Sequence, residues 1–112
     1  MKSILVSTKK LSGISDSCSH FDAQIVAYIN NVFLVLKQLG VGPEEGFVIT
    51  DEYGEWDDFI PDNPVLREAT KSYMAAKVRL QFDPPSNSTH MEALKSTIAE
   101  YEWRANVEVE SK

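Results

Sequence analysis

Residues 77–107 read KVRLQFDPPSNSTHMEALKSTIAEYEWRANV, and this stretch decides the fold. Pro84 and Pro85 have no backbone N–H to donate, and Pro84 disfavours helical geometry at the residue before it. The apolar pattern that precedes them therefore predicts a helix that ends near Phe82. The polar residues 86–89 come next, and their side-chain oxygens can cap the bare amides of a new helix. We predict two helices joined by a sharp corner.

An apolar stripe lies on each side of this corner. Asn63 and Pro64 form a cap and first-turn pair that opens the first helix, and Thr89 and Glu92 have the spacing of a capping box at the start of the second. Both stripes advance in helical steps of three and four residues, which predicts an antiparallel pair. Their members are Leu66, Ala69, Tyr73, Ala76 and Leu80 in the first helix, and Met91, Leu94, Ile98, Tyr101 and Ala105 in the second.

Two further helices are predicted nearer the N-terminus. Residues 3–11 can form a short helix that Gly13 ends in a left-handed cap. A longer central helix starts at Asp22, which can cap it, and ends at Gly40. The inner positions of this central helix are Ile25, Ile29, Val32, Leu36 and Leu39.

The segment between the second and third helices, residues 46–60, lacks helical periodicity. It begins with the strand-forming residues Phe47, Val48 and Ile49, and the turn residues 51–54 follow. We predict a short β-hairpin or an ordered acidic loop. Because two strands alone are marginal in water, this segment must pack on the helices through its aromatic residues.

The period changes again at the end of the chain. Val107 and Val109 alternate with polar residues, so the pattern predicts an extended C-terminal tail over residues 107–112. The chain of 112 residues can bury one hydrophobic core. We therefore predict a mainly α fold, in which residues 1–106 form a single small bundle of about four helices and the tail follows.

Acidic residues are concentrated in one segment. The net charge is −6, and the segment from 44 to 62 contains no lysine or arginine but holds Glu44, Glu45, Asp51, Glu52, Glu55, Asp57, Asp58 and Asp62. Such a block repels phosphate, which disfavours sequence-specific nucleic-acid recognition through it. The spacing superficially resembles a calcium loop, but Trp56 stands where that loop requires glycine. We interpret the segment as a solvated acidic loop without a metal.

No residues have the spacing of a catalytic group. His20 and His90 are far apart, and no third group is arranged to assist either of them. Cys18 is the only cysteine, which excludes an internal disulfide and fits an inert thiol in a reducing cytoplasm. The longest apolar run, residues 32–36, is far shorter than the ~20 residues of a membrane helix. We expect a protein that is not an enzyme, has no cofactor, and is neither exported nor embedded in a membrane.

Three residues of the two helices that flank this corner are candidates for a subunit or partner interface. Trp103 lies about 200° around its helix from Tyr101, so it cannot share the core stripe at full depth. It either packs under the hairpin or the first helix, or it contributes to an interface, where tryptophan and its neighbour Arg104 are enriched residue types. Lys77 lies one turn after Tyr73, and it either extends its amine to solvent or meets an acid of a neighbouring subunit.

Five segments in a fixed order cover nearly the whole chain, and they read LVSTKKLSGI (5–14), INNVFLVLKQLGVGPEEGF (29–47), GEWDDFI (54–60), KVRLQFDPP (77–85) and EALKSTIAEYEWRANV (92–107). Together they resemble the head-to-tail connector proteins of long-tailed bacteriophages. The most specific elements are the LGVGP corner, the tryptophan and acids after the predicted hairpin turn, the FDPP helix end and the closing EWR.

The resemblance implies a structural virion protein with no enzyme activity and no cofactor. Such an adaptor, or head-completion protein, forms a homo-oligomeric ring below the portal, with a channel through which DNA passes as non-specific cargo. The implied partners are further copies of the chain, the portal protein, and a stopper or tail-completion protein, with no membrane. The implied location is the head–tail connector region of the virion, after assembly in the host cytoplasm.

Two regions acquire expected roles from this resemblance. The C-terminal tail, with Val107 and Val109, is expected to reach the portal or a neighbouring subunit. The acidic loop is expected to face the channel or the next partner, through Glu44, Glu45, Asp51, Glu52, Glu55, Asp57 and Asp58. The alternative is a soluble, non-virion helical interaction module, such as a small inhibitor or regulator.

Overall fold

The computed structural model describes residues 3–14 and 20–110, and of residues 106–110 it describes the backbone only. This part of the chain contains no strand and five helices, which are α1 (Ile4–Leu11), α2 (Asp22–Gln38), α3 (Trp56–Phe59), α4 (Pro64–Phe82) and α5 (Ser88–Glu110). The predicted mainly α bundle is confirmed. The additional helix, α3, is a single turn within the segment that connects α2 to α4.

α4 is the central helix of the bundle, because α1, α2 and α5 all pack against it, so the prediction that α2 is central is wrong. Tyr73, Met74 and Val78 of α4 are fully buried, although only Tyr73 belongs to the apolar stripe predicted from the sequence. Tyr73 and Met74 point about 100° apart on the helix. The buried surface of α4 is therefore wider than one stripe, since neighbours pack on more than one of its sides.

Asn87, rather than the predicted Thr89, caps the start of α5. The Asn87 Oδ1 accepts hydrogen bonds from the backbone N–H groups of Thr89 at 2.8 Å and His90 at 3.2 Å. These amides belong to the first turn, where a helix has no acceptors of its own. The helix consequently begins at Ser88, and the predicted capping box of Thr89 with Glu92 is wrong.

A partly buried ion pair joins α1 to the start of α2. The Nζ of Lys9, a buried residue, lies 2.8 Å from Asp22 Oδ1. Asp22 is the first residue of α2, and the capping position belongs to Phe21, which makes no side-chain capping bond. The predicted capping role of Asp22 is therefore wrong. Its carboxylate compensates a buried ammonium, and a negative charge in the first turn also suits the helix dipole.

Residues 46–60 form an ordered loop that contains α3, so the hairpin alternative is wrong. The side-chain amide of Asn30, on α2, takes the place of a second strand. It donates to the Ile49 carbonyl at 2.9 Å and accepts from the Ile49 N–H at 2.8 Å. Because both backbone groups of this buried residue are satisfied by one side chain, no strand ladder is required.

Four aromatic rings hold the loop against α2. Phe33 of α2 packs with Phe47, Trp56 and Phe59 of the loop, with ring centroids 4.7 to 6.2 Å apart. Trp56 is 1% exposed, and its indole N–H donates to the Ser7 Oγ of α1 at 2.7 Å. The acidic loop is thus attached to the hydrophobic core and to two helices.

α5 continues to Glu110, so the backbone of residues 107–110 is helical and the predicted extended geometry is wrong for these four residues. Residues 111–112 lie outside the described part of the chain. Extending an established helix adds one hydrogen bond for each residue that becomes ordered. Valine favours a strand chiefly when neighbouring strands pack against it, and the described residues form none.

Candidate interaction surfaces

Trp103 lies on the solvent-facing side of α5 and is 66% exposed. It does not pack under the loop or under α1, which was one of the two alternatives left open by the sequence. The neighbouring Arg104 is also exposed, and its Nη2 lies 2.6 Å from the Glu100 Oε1 one turn earlier. A large aromatic ring and an exposed ion pair therefore stand side by side on α5.

A polar network behind Trp103 fixes α5 on α4. The rings of Tyr73 and Tyr101 stack with centroids 4.2 Å apart, and the Tyr101 hydroxyl is 2.8 Å from the Thr70 hydroxyl. The Tyr73 hydroxyl donates to Glu102 at 2.6 Å. Burial, followed by this bond to the Glu102 carboxylate, raises the pKa of Tyr73 far above its usual value. Tyr73 therefore remains a protonated donor, and the position of α5 is well defined.

Lys77, another predicted interface residue, has partners in its own chain. Its Nζ lies 3.7 Å from the Glu102 Oε2 and 6.0 Å from the centroid of the Tyr73 ring. The ammonium partly neutralises the carboxylate that accepts the Tyr73 hydrogen bond. The structure thus gives Lys77 a role in holding α5 against α4.

The acidic residues of the loop fall into two groups. Glu55 and Asp58 form a capping box at the start of α3, and Asp57 Oδ1 lies 3.4 Å from Arg67 Nε. These three carboxylates stabilise local structure. The others in the predicted set lie on the exposed surface of the loop, and they are Glu44, Glu45, Asp51 and Glu52. Together with Asp58, which is also exposed, this second group presents most of the loop's charge to solvent.

An open apolar groove runs between α2 and residues 45–48, and Glu45 is the one predicted candidate among its lining residues. Its volume is about 280 Å³, and we name it the α2 groove. It is lined by Asn30, Phe33, Leu34, Lys37, Glu45, Gly46, Phe47 and Val48. Leu34 and Val48 are both more than half exposed. A second and larger groove, of about 780 Å³, lies beside the start of α2 between Leu5, Val26 and Ile49.

Sequence reasoning missed the α2 groove, although one signal was present. Leu34 lies between Val32 and Leu36 of the inner stripe and so points away from it. A large apolar residue on the outer face of an amphipathic helix is a mark of an interaction surface when it belongs to a patch. The other half of the patch, Val48, comes from the loop, and the sequence assigned that residue to a strand.

The two histidines considered for catalysis lie in different surroundings within the described part of the chain. The ring of His20 packs edge-on against Phe21 with centroids 4.8 Å apart, and His90 is exposed in the first turn of α5. Cys18 lies outside the described residues, as do the side chains of Val107 and Val109. Among the residues that are described, no three His, Cys, Asp or Glu side chains are grouped to hold a metal ion. None of the described helices has the length and apolar character needed to cross a bilayer.

The structure is a small, mainly helical bundle, and its candidate functional features are exposed side chains and grooves on the surface of a well-packed core. Comparison with known families assigns it more closely, because the family described as phage connector protein matches residues 4–112. The chain belongs to the phage connector protein family, which is structural, and the resemblance to phage connector proteins is confirmed. The comparisons with curated proteins and with solved structures gave no match.

Proposed function

We propose that this chain forms a homo-oligomeric ring below the portal of the phage head. The ring docks on the portal protein, presents its other side to a stopper or tail-completion protein, and leaves a central channel for DNA. The observation that carries this proposal is the family match over residues 4–112. The exposed Trp103 and the α2 groove support it, because a ring needs two different adhesive surfaces on each subunit.

The exposed acids of the loop suit the channel or its mouth. Glu44, Asp51 and Glu52 carry their carboxylates on a loop that the aromatic cluster attaches to the core. A channel that passes DNA without binding it should present no fixed positive charge, because each contact with a phosphate adds affinity and slows transit. Fixed negative charge on this loop keeps the DNA away from the wall.

Charge reversal in this loop is expected to hinder genome passage. The double variant Glu44→Lys/Glu52→Lys replaces two exposed carboxylates with ammonium groups that bind phosphate. The measurement is the rate and completeness of DNA release from assembled particles, with slower and incomplete release expected. The control Asp83→Lys/Glu92→Lys makes the same charge change at exposed positions near the helical corner. Normal release from particles that carry the loop variant would contradict the channel role.

Removal of residues 107–112 is expected to abolish binding to the portal while the bundle remains folded. The deletion shortens α5 by four residues beyond Ala105, which is the last residue with a described side chain that packs against the core. Helical circular dichroism should therefore fall only slightly. Electron microscopy of the full-length chain mixed with portal protein should show rings on the portal, and the truncated chain should show none.

Two results would contradict the proposed function or this part of it. Unchanged portal binding by the truncated chain would refute docking through the C-terminal segment. A full-length chain that stays monomeric and ignores the portal would refute the ring itself, and it would favour a soluble inhibitor or regulator.

A further inference from the structure

We propose that Trp103 of one subunit inserts into the α2 groove of the next copy in the ring. At the rim of the groove, Arg104 and Glu100 of the first subunit meet Glu45 and Lys37 of the second. This inference rests on the proposed ring, and it deepens that proposal by naming the two surfaces that meet.

The two surfaces lie on different sides of α4. α2 and α5 both pack against α4 and hardly touch each other. Phe21, just before α2, packs on Phe82 at the end of α4, with ring centroids 5.4 Å apart. Phe33, later in α2, packs on Phe59, which is close to the start of α4, with centroids 4.7 Å apart. α2 therefore runs antiparallel to α4.

The register of the helices places the two surfaces at the same level. Phe33 is twelve residues after Phe21, or about 18 Å along the helix axis, which brings it level with Thr70 of α4. On the side occupied by α5, the Thr70 hydroxyl is 2.8 Å from the hydroxyl of Tyr101. Leu34 is the residue after Phe33, and Trp103 is two residues after Tyr101. Both exposed residues therefore lie near the level of Thr70.

Equal level is what a closed ring requires. Each subunit is related to the next by a rotation about one axis, so surfaces that meet must lie at equal height on the two flanks of a subunit. For a ring in which α4 lies along that axis, which is the arrangement we propose, Trp103 and the α2 groove meet this condition. The larger groove beside the start of α2 does not, because Val26 lies about 12 Å from Leu34 along the helix.

The apolar chemistry of the two surfaces also matches. A groove of about 280 Å³ can receive an aromatic side chain, and Leu34 and Val48 expose apolar surface along its wall. Tryptophan buries a large apolar area for few rotatable bonds, and it is one of the residue types enriched among dominant interface residues, which lie in well-packed pockets. Insertion removes three exposed apolar side chains from water in one contact.

The charges at the rim are complementary. Beside Trp103, Glu100 and Arg104 form an exposed ion pair with atoms 2.6 Å apart. Lys37 and Glu45 lie at the edges of the α2 groove and are both exposed. Arg104 can therefore face Glu45 while Glu100 faces Lys37. Such pairs mainly determine the register of an interface and exclude wrong partners.

Single substitutions at either surface are expected to weaken association by about 30-fold or more, as for other dominant interface residues. The variants are Trp103→Asp and Leu34→Asp, and the measurement is sedimentation velocity over a concentration series, with and without portal protein. The matched controls are Tyr53→Asp and Leu11→Asp. Tyr53 is an aromatic residue that is 77% exposed, and Leu11 is 56% exposed against 57% for Leu34. Both controls should assemble like the wild type.

Mixing the two defective variants tests the direction of the contact. The Leu34→Asp chain retains Trp103, and the Trp103→Asp chain retains an intact groove, so one contact can form but no ring can close. Native mass spectrometry should show one-to-one pairs in the mixture and none in either variant alone. If the wild type forms a ring and Trp103→Asp also assembles normally, this inference is wrong, although the proposed ring itself is retained. A wild type that stays monomeric even with portal protein would overturn both.

Discussion

Replacement of Trp56 by alanine lowers the free energy of unfolding by about 3 to 5 kcal/mol, as expected for a large core residue. Trp56 is 1% exposed and packs against Phe33 and Phe59. Its truncation leaves a cavity and removes the donor to the Ser7 Oγ, which lies 2.7 Å away. Because small domains are stable by only about 5 to 15 kcal/mol, this change removes a large fraction of the total.

Urea denaturation followed by circular dichroism measures this loss. The second tryptophan of the chain supplies the control, since Trp103 is 66% exposed and Trp103→Ala should change stability by no more than about 0.5 kcal/mol. The variant Trp56→Phe should lie between the two, because it keeps most of the ring contacts and loses the indole N–H. Equal losses from Trp56→Ala and Trp103→Ala would contradict the arrangement described here.

Replacement of Gly42 by alanine is expected to cost about 2 to 5 kcal/mol of unfolding free energy. Gly42 has a φ of +90°, a region that other residues occupy at a cost of about 1 to 3 kcal/mol. An added Cβ would also overlap the ring of Phe59, with only 2.7 Å to its Cζ. Forcing a well-packed ring to move adds a further cost of similar size.

Gly13 allows the two causes to be separated. It has a φ of +81°, but among the residues that the structure describes an added Cβ would have no non-adjacent neighbour within 4 Å. Gly13→Ala should therefore show the backbone cost alone, about 1 to 3 kcal/mol, and thermal or urea unfolding of the two variants should differ. If both substitutions cost the same, then contact between Gly42 and Phe59 contributes nothing to the stability of the loop.

Several helix boundaries could be predicted from the sequence because their causes are local. Asn63 caps α4, and its Oδ1 accepts a hydrogen bond from the Leu66 N–H at 3.0 Å. The helix ends at Phe82, two residues before Pro84. Gly13 likewise follows α1 with a positive φ. In each case the deciding interaction is within a few residues along the chain, so no knowledge of the rest of the fold is required.

The loop and the start of α2 could not be predicted in this way. Whether residues 46–60 pair as strands depends on Asn30, which is 19 residues away and satisfies both backbone groups of Ile49. Whether Asp22 caps a helix or forms an ion pair depends on the buried Lys9 of another helix. Both are competitions between a local partner and a distant one, and the distant partner wins where burial makes an unsatisfied polar group costly.

Of the two candidate surfaces, the one at Trp103 could be predicted from the sequence and the α2 groove could not. Helical geometry alone places Trp103 off the core stripe of α5, and the family to which the chain belongs could be recognised from segments of the sequence. Only the tertiary structure brings Leu34 of α2 beside Val48 of the loop. Periodicity and capping are properties of neighbouring residues, whereas a groove forms between elements that are distant in sequence and exists only after the core has packed.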